Sequence, residues 1–483
     1  MKKAVQNIVG KISIYSLCLF LLSSCGKKSD PAPVSTKPTI IGFSPASGLP
    51  GSTVIITGTN LGGSFTNVVK FGGIAVVTSE TVVTPTTLTV KVPATSATGY
   101  ITLEMNGEIV TSATEFVVPI NITNFTPKGG IGGVVSIFGT GFSTIPANNI
   151  VKFNGVLAQV TDANNTNILV AVPVGATTGK ISIQVGNGAG SIVQTATNFI
   201  VLPGSWVLKA NFGGVARQEA FSFAIGTKGY LGGGKAVDSN TGVTTDLYDF
   251  WEYEPITNIW TQKANIGASL YTSSIGFAIG TKGYLVNDYV WEYDPSGNTW
   301  MQKNPFIGGV RTRAVSFAIG NKGYVGTGVI SNTTRKDLWE YNPATDSWLQ
   351  KADFGGGPTA DASSFVIGTK GYISGKSSGF WEYNQLANTW AQKTNSPNPV
   401  GAAIGYSINN KGYITLGSNN YYSEDVFEYD PTTDAWTEKA PYGNFAKYAI
   451  AFVVGNKAYV GTGGGNFIGP GILTFKAIRE FTP

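Results

Sequence analysis

No histidine occurs among the 483 residues, and both cysteines, Cys18 and Cys25, fall within the first 25. Those two scarcities remove most site chemistry at once. A Ser-His-Asp or Cys-His nucleophile cannot be assembled, and neither can a His or Cys metal site, so no cofactor and no enzyme activity are expected. Charge is sparse as well, at 13% of residues. Of 33 basic residues, Lys2, Lys3 and Lys11 lie in the N-terminal segment, leaving 30 against 28 acidic groups. A nearly neutral chain without a basic run is not built to track a phosphate backbone, which excludes nucleic acid as a partner. After residue 25 no stretch carries a helical period. The 63 glycines and the 12% aromatic content instead suit short strands and turns, so an all-β fold is expected.

The N-terminus reads MKKAVQNIVGKISIYSLCLFLLSSC. Two lysines precede an apolar stretch, Ile12 to Leu22, that is too short for a permanent membrane anchor and suits a signal segment. Its ending, Leu22-Ser23-Ser24-Cys25, resembles the lipobox of bacterial lipoproteins. The resemblance implies a signal peptide over 1–24, lipidation at Cys25 and attachment to a membrane through acyl chains. An ordinary secretory signal with an incidental cysteine is the alternative. Gly26 after the cysteine favours an outer-membrane lipoprotein, facing either the periplasm or the cell exterior. With Cys18 removed and Cys25 lipidated, the mature chain has no disulfide and must hold together by packing and strand pairing. Residues 25–37, ending GKKSDPAPVSTK, form a lipidated tether.

A tandem duplication follows. FSPASGLPGSTVIITGTNLG from Phe43 matches FTPKGGIGGVVSIFGTGFS from Phe125, NVVKFGG from Asn67 matches NIVKFNG from Asn149, and TLTVKVPATSATGYITLEM from Thr87 matches NILVAVPVGATTGKISIQV from Asn167. The offsets are 82, 82 and 80 residues. Several short alternating runs per unit, broken by Gly and Pro, predict a β-sandwich. The pair resembles IPT/TIG domains, an immunoglobulin-like family, over 38–118 and 119–202. That resemblance implies spacers or parts of binding surfaces.

From 203 to 483 a second repeat takes over. GTKGY or a close variant appears at 226, 280, 320, 368, 409 and 455, followed by WEY at 251, 291, 339 and 381, FEY at 427 and REF at 479. Trp206, Trp260, Trp300, Trp348, Trp390 and Trp436 are spaced by 54, 40, 48, 42 and 46 residues. Four short strands per period predict a β-propeller blade. The pattern resembles kelch repeats, although the glycine doublet of Gly232-Gly233 is missing from YLVND at 284, which puts the strand end of the second blade in doubt. The last repeat stops at AIREFTP, one strand short, while GSWVLKANF at 204 is a fourth strand without its first three. Six blades are therefore expected, the last one shared between the two ends of the region. The recurrence of Trp251, Trp291, Trp339 and Trp381 predicts core rather than sugar-stacking platforms.

Connections between second and third strands vary most, from VNDY at 286 to GGGKAVDSNTGVTTDLY at 232, and place any binding role on one rim. Aligning the repeats on their KGY tyrosines puts Glu219, Ser273, Arg313, Asp361, Ala402 and Tyr448 at the start of the innermost strands. Two positions earlier come Arg217, Tyr271, Arg311, Thr359, Val400 and Ala446. The expected mouth thus holds three arginines, two acids and two tyrosines, with Tyr421 and Tyr422 nearby. Such a set suits hydroxyl-rich or carboxylated ligands; charges paired with one another are the alternative. The expected function is non-catalytic binding of an extracellular ligand, with glycan ahead of a surface protein. Adhesion through a protein partner is the second reading. A carbohydrate-active enzyme built on a carboxylate pair is the third, since some six-bladed kelch proteins act on sialic acids.

Overall fold

The computed structural model describes residues 37–62, 68–76, 81–105, 107–185, 192–239, 241–266, 274–419, 421–466 and 472–483. The expected signal segment, Cys25 and Tyr271 lie outside the described residues. Among the described residues, regular structure is β throughout apart from one 3-10 turn at Pro146–Asn148. No described helix is long and apolar enough to cross a membrane.

The duplicated units each fold as two packed sheets. Strand Thr53–Thr59 alternates exposed and buried residues along its whole length, so Val54 and Ile56 face inward while the threonines face water. It pairs with Thr39–Ser44 and Thr87–Lys91. The opposing sheet of Val68–Phe71, Gly99–Met105 and Glu108–Phe116 closes over a core that includes Phe71, Ile101 and Phe116. The second unit repeats this around Val135, Ile137, Phe153, Ile168 and Phe199.

Six sheets follow. Five run in sequence order, beginning with Phe221–Ile225, Lys228–Gly232, Phe250–Glu254 and Ile259–Lys263. The sixth joins Ile450–Val454, Lys457–Gly461 and Ile478–Thr482 to Ile200–Leu208, with Trp206 opposite Phe481 and Leu208 opposite Arg479. The innermost strand of each sheet touches that of the next, and the sixth touches the first, giving a ring. The second blade forms Lys282–Val286 like its neighbours, so the missing glycine doublet leaves the strand end intact.

Packing explains why the repeat keeps its residues. The KGY glycine of one blade lies beneath a phenylalanine of the preceding blade: a Cβ on Gly229 would sit 2.0 Å from the Phe452 ring, and on Gly283 2.4 Å from Phe223. The tyrosine beside it donates its hydroxyl to the third-strand glutamate in all six blades: Tyr230 to Glu252, Tyr284 to Glu292, Tyr324 to Glu340, Tyr372 to Glu382, Tyr413 to Glu428 and Tyr459 to Glu480. Lysines complete the network, as Lys228 and Lys263 do on Glu252. Burial opposes ionisation of Glu252, yet the hydrogen bonds from Lys228 and Tyr230 hold its carboxyl below the usual range.

The WEY tyrosine makes a second recurring bond. Tyr253, Tyr293, Tyr341, Tyr383 and Tyr429 donate to Asn258, Asn298, Asp346, Asn388 and Asp434. All five acceptors sit in the left-handed region, which Asn and Asp tolerate best among residues with a Cβ. These tyrosines are fully buried, whereas Trp251, Trp291, Trp339 and Trp381 are half-buried and pack on the core margins.

Candidate functional site

The register alignment of the repeats picks out a real ring. Glu219, Arg313, Asp361, Ala402 and Tyr448 all adopt φ between 54° and 58° at the mouth of the axial channel. Their backbones bond from blade to blade: Asp361 N donates to Arg313 O, Ala402 N to Asp361 O, Tyr448 N to Ala402 O and Glu219 N to Tyr448 O, at 2.8–3.2 Å. Each left-handed residue turns the chain from the outer loop into the innermost strand. The five therefore share one conformation while differing in side chain. They line a cavity of about 130 Å³. A further volume of about 220 Å³ continues along the axis between small residues such as Ala314, Ser316, Ala362 and Ser364.

The mouth is mixed in charge. Arg313 Nη1 reaches Asp361 Oδ2 at 3.1 Å, and the arginine side chain remains 44% exposed. Glu219 pairs with Lys235 at 2.9 Å. Lys447 Nζ lies 5.6 Å from the Tyr422 ring and 5.4 Å from the Tyr448 ring, a cation held between two aromatic faces. Burial pushes the Asp361 carboxyl up, and the nearby Glu219 adds to that; Arg313 and Lys447 pull the other way. The Tyr448 hydroxyl is raised by burial and by Asp361 and Glu219. Tyr421 belongs to a short hairpin strand with Tyr422, paired to Ser418–Asn419 on this rim.

The second expected ring is not part of the mouth. Arg217, Arg311, Thr359, Val400 and Ala446 are all buried, because this position points between blades rather than toward the axis. Arg217 makes a two-pronged contact with Asp249, both bonds 2.7 Å, and stacks 4.5 Å from the Phe212 ring. Arg311 does the same with Asp337 at 2.8 Å, over Phe306. Burial opposes ionisation of Asp249 and Asp337, but the guanidinium bonds hold both carboxyls low. Trp251 and Trp339 donate to the same two aspartates. These are clamps between a loop and a third strand, so the mouth has one arginine rather than three. The sequence signal for them was present: an aspartate stands two residues before the tryptophan in DFW and DLW, the two repeats that carry the arginine. Lys235 reaches the axis only through the folded hairpin of Lys235–Val237 with Thr244–Asp246, whereas Lys447 stands beside Tyr448 in the sequence itself.

A larger cavity, of about 760 Å³, lies between the two sandwiches against Val117, Pro119, Phe142 and Asn165. Among the described residues no ionisable side chain lines it, which makes the propeller mouth the better candidate. Among the described residues no group of three or more acidic, His or Cys side chains could hold a metal.

The IPT/TIG domain family matches residues 38–118 and again 119–201. Two IPT/TIG domains precede the propeller. IPT/TIG domains are immunoglobulin-like and typically non-enzymatic, and with the β-rich body they mark the chain as a binding module. No curated protein matches the chain. A solved structure titled "Structure of YjhT" aligns at 14% identity over 56% of this chain and 95% of that chain, with a TM-score of 0.45.

Proposed function

We propose that this is an exported lipoprotein, anchored through Cys25 to the outer membrane, whose propeller mouth binds an extracellular ligand without transforming it. Glycan is the preferred ligand class. The observation that carries this reading is the gathering of Arg313, Asp361, Glu219, Lys447, Tyr422 and Tyr448 at one end of the axis. Aromatic faces stack on sugar rings, and ion-paired carboxylates and guanidinium forks exchange hydrogen bonds with hydroxyls. The two IPT/TIG domains then serve as a stalk between lipid and mouth. A glycan array probed with the purified protein and with the Arg313→Ala/Asp361→Ala double variant tests the ligand class. Binding to a defined glycan that the double variant loses is expected; glycan binding unaffected by the change would remove the mouth from the reading. Cys25→Ser should release the protein from the membrane fraction.

A further inference from the structure

The end of the second IPT/TIG domain and the start of the propeller are one strand. In Ile200–Leu208, Ile200, Val201 and Leu202 pair in parallel with Lys128, Gly129 and Gly130. Further along the same strand, Ser205 to Leu208 pair antiparallel with Thr482 to Arg479. The sixth blade therefore has five strands, with Lys128–Ile131 outermost.

That outermost strand is fixed at both ends. On the domain side, Gly132 N donates to Val172 O and Val172 N to Gly133 O, each at 2.9 Å, and Ile131 and Val201 pack on the sandwich core. On the propeller side, Lys128 Nζ meets Glu438 Oε1 at 2.5 Å. Ala440 N donates to Pro203 O at 2.8 Å, and Trp206 Nε1 donates to Ala440 O at 2.9 Å. Gly130 passes so near Ala440 that a Cβ there would lie 2.2 Å from the alanine methyl. Only glycine fits that approach.

The first IPT/TIG domain has this edge only in a shorter form: Gly51 N donates to Val92 O and Val92 N to Ser52 O, as in the second copy, but the parallel pairing is reduced. At the equivalent place it makes one isolated parallel bridge, Ser47 to Val117. Its sequence there is Ala46-Ser47-Gly48-Leu49-Pro50-Gly51, against Lys128-Gly129-Gly130-Ile131-Gly132-Gly133 in the second copy. The duplication thus shares the domain-side ties, while the longer pairing and the contacts with Glu438 and Ala440 belong to the second copy.

We infer that the second IPT/TIG domain is a latch on the propeller ring. Its Lys128–Ile131 edge pairs with the lead-in Ile200–Leu202 and with Ser205, the first residue of the segment that closes the ring, and so anchors that segment at its entry. Residues 119–483 open as one unit, and the first domain opens separately. The docking surface fits one partner, the sixth blade of its own chain.

Hydrogen exchange on the full-length protein tests this. Gly130→Val forces the latch off Ala440, and exchange in 203–208 and 478–482 should quicken about tenfold, with the first domain unchanged. Lys128→Glu sets like charges against Glu438 and should give a smaller acceleration in the same segments, reversed by adding Glu438→Lys. The charge pair decides the matter if the valine variant fails to fold. Unchanged exchange at the closing strands in these variants would overturn the latch, as would equal acceleration in the first domain.

Discussion

Along the flanks of the propeller the six blades repeat one network: a buried tyrosine, a carboxylate that accepts from it, and lysines that neutralise the carboxylate. At the mouth the backbone conformation repeats but the side chains do not, running through Glu219, Arg313, Asp361, Ala402 and Tyr448. The flank is uniform because each blade must solve the same packing problem against its neighbour. The mouth varies because no packing problem constrains it. Variation alone is still a poor guide to function. Arg217 and Arg311 also differ from the residues at the same place in other repeats, yet both are buried and structural.

The contrast is most exposed to test where the ring closes. Trp206→Ala removes the edge-on contact with Tyr442, the contact with Phe481 and the bond to Ala440 O. It should cost on the order of 3–5 kcal/mol in denaturant unfolding. A loss under about 1 kcal/mol would mean that the joined ends contribute little. Next comes Arg217→Ala, which leaves Asp249 without its partner and should cost about 3 kcal/mol, against less than about 1 kcal/mol for Arg313→Ala at the half-exposed mouth pair. Equal losses would erase the distinction between clamp and mouth.

The pH dependence separates the two regions by sign. Asp249, Asp337, Glu252, Glu382 and Glu480 are held below their usual values in the fold. A depressed folded value stabilises above the unfolded value and is lost as pH falls through the folded one. The melting temperature should therefore drop on acidification below about pH 4. Asp361 runs the other way: its raised folded value means that the ionised carboxylate costs stability, and acidification lifts that cost first. Asp361→Asn should thus leave the flank-driven acid transition in place, which a melting series from pH 7 to pH 3 would check. The smallest expected effect is Ala402→Gly. Relieving a left-handed alanine should change stability by no more than about 1 kcal/mol, in the stabilising direction.

Much of this was readable beforehand because repetition carries its own alignment. Alignment on the KGY tyrosines groups five residues that share one left-handed backbone conformation, and the orphan strand at 204 pairs with the strand at 478–482. The second ring was misplaced because shifting two residues along an extended strand keeps the face, whereas these positions precede the strand and follow a turn. The Arg217–Asp249 contact spans 32 residues, so it shows only when the repeats are compared and the aspartate of DFW and DLW is seen to accompany the arginine. Lys128–Ile131 is hidden in the sequence because the four glycines of KGGIGG carry no strand period. They are there for close approach to Ala440 and for the sharp exit at Gly132, where φ is 79°.

The left-handed ring has a consequence for redesign. Arginine, aspartate, glutamate, alanine and tyrosine already occupy the same backbone slot, and main-chain bonds join those slots whatever the side chain, the Arg313–Asp361 pair being added on top. Positions 219, 313, 361, 402 and 448 can therefore be rewritten in combination without disturbing one another's scaffold. The chemistry presented at the mouth becomes a choice of letters on a fixed dial.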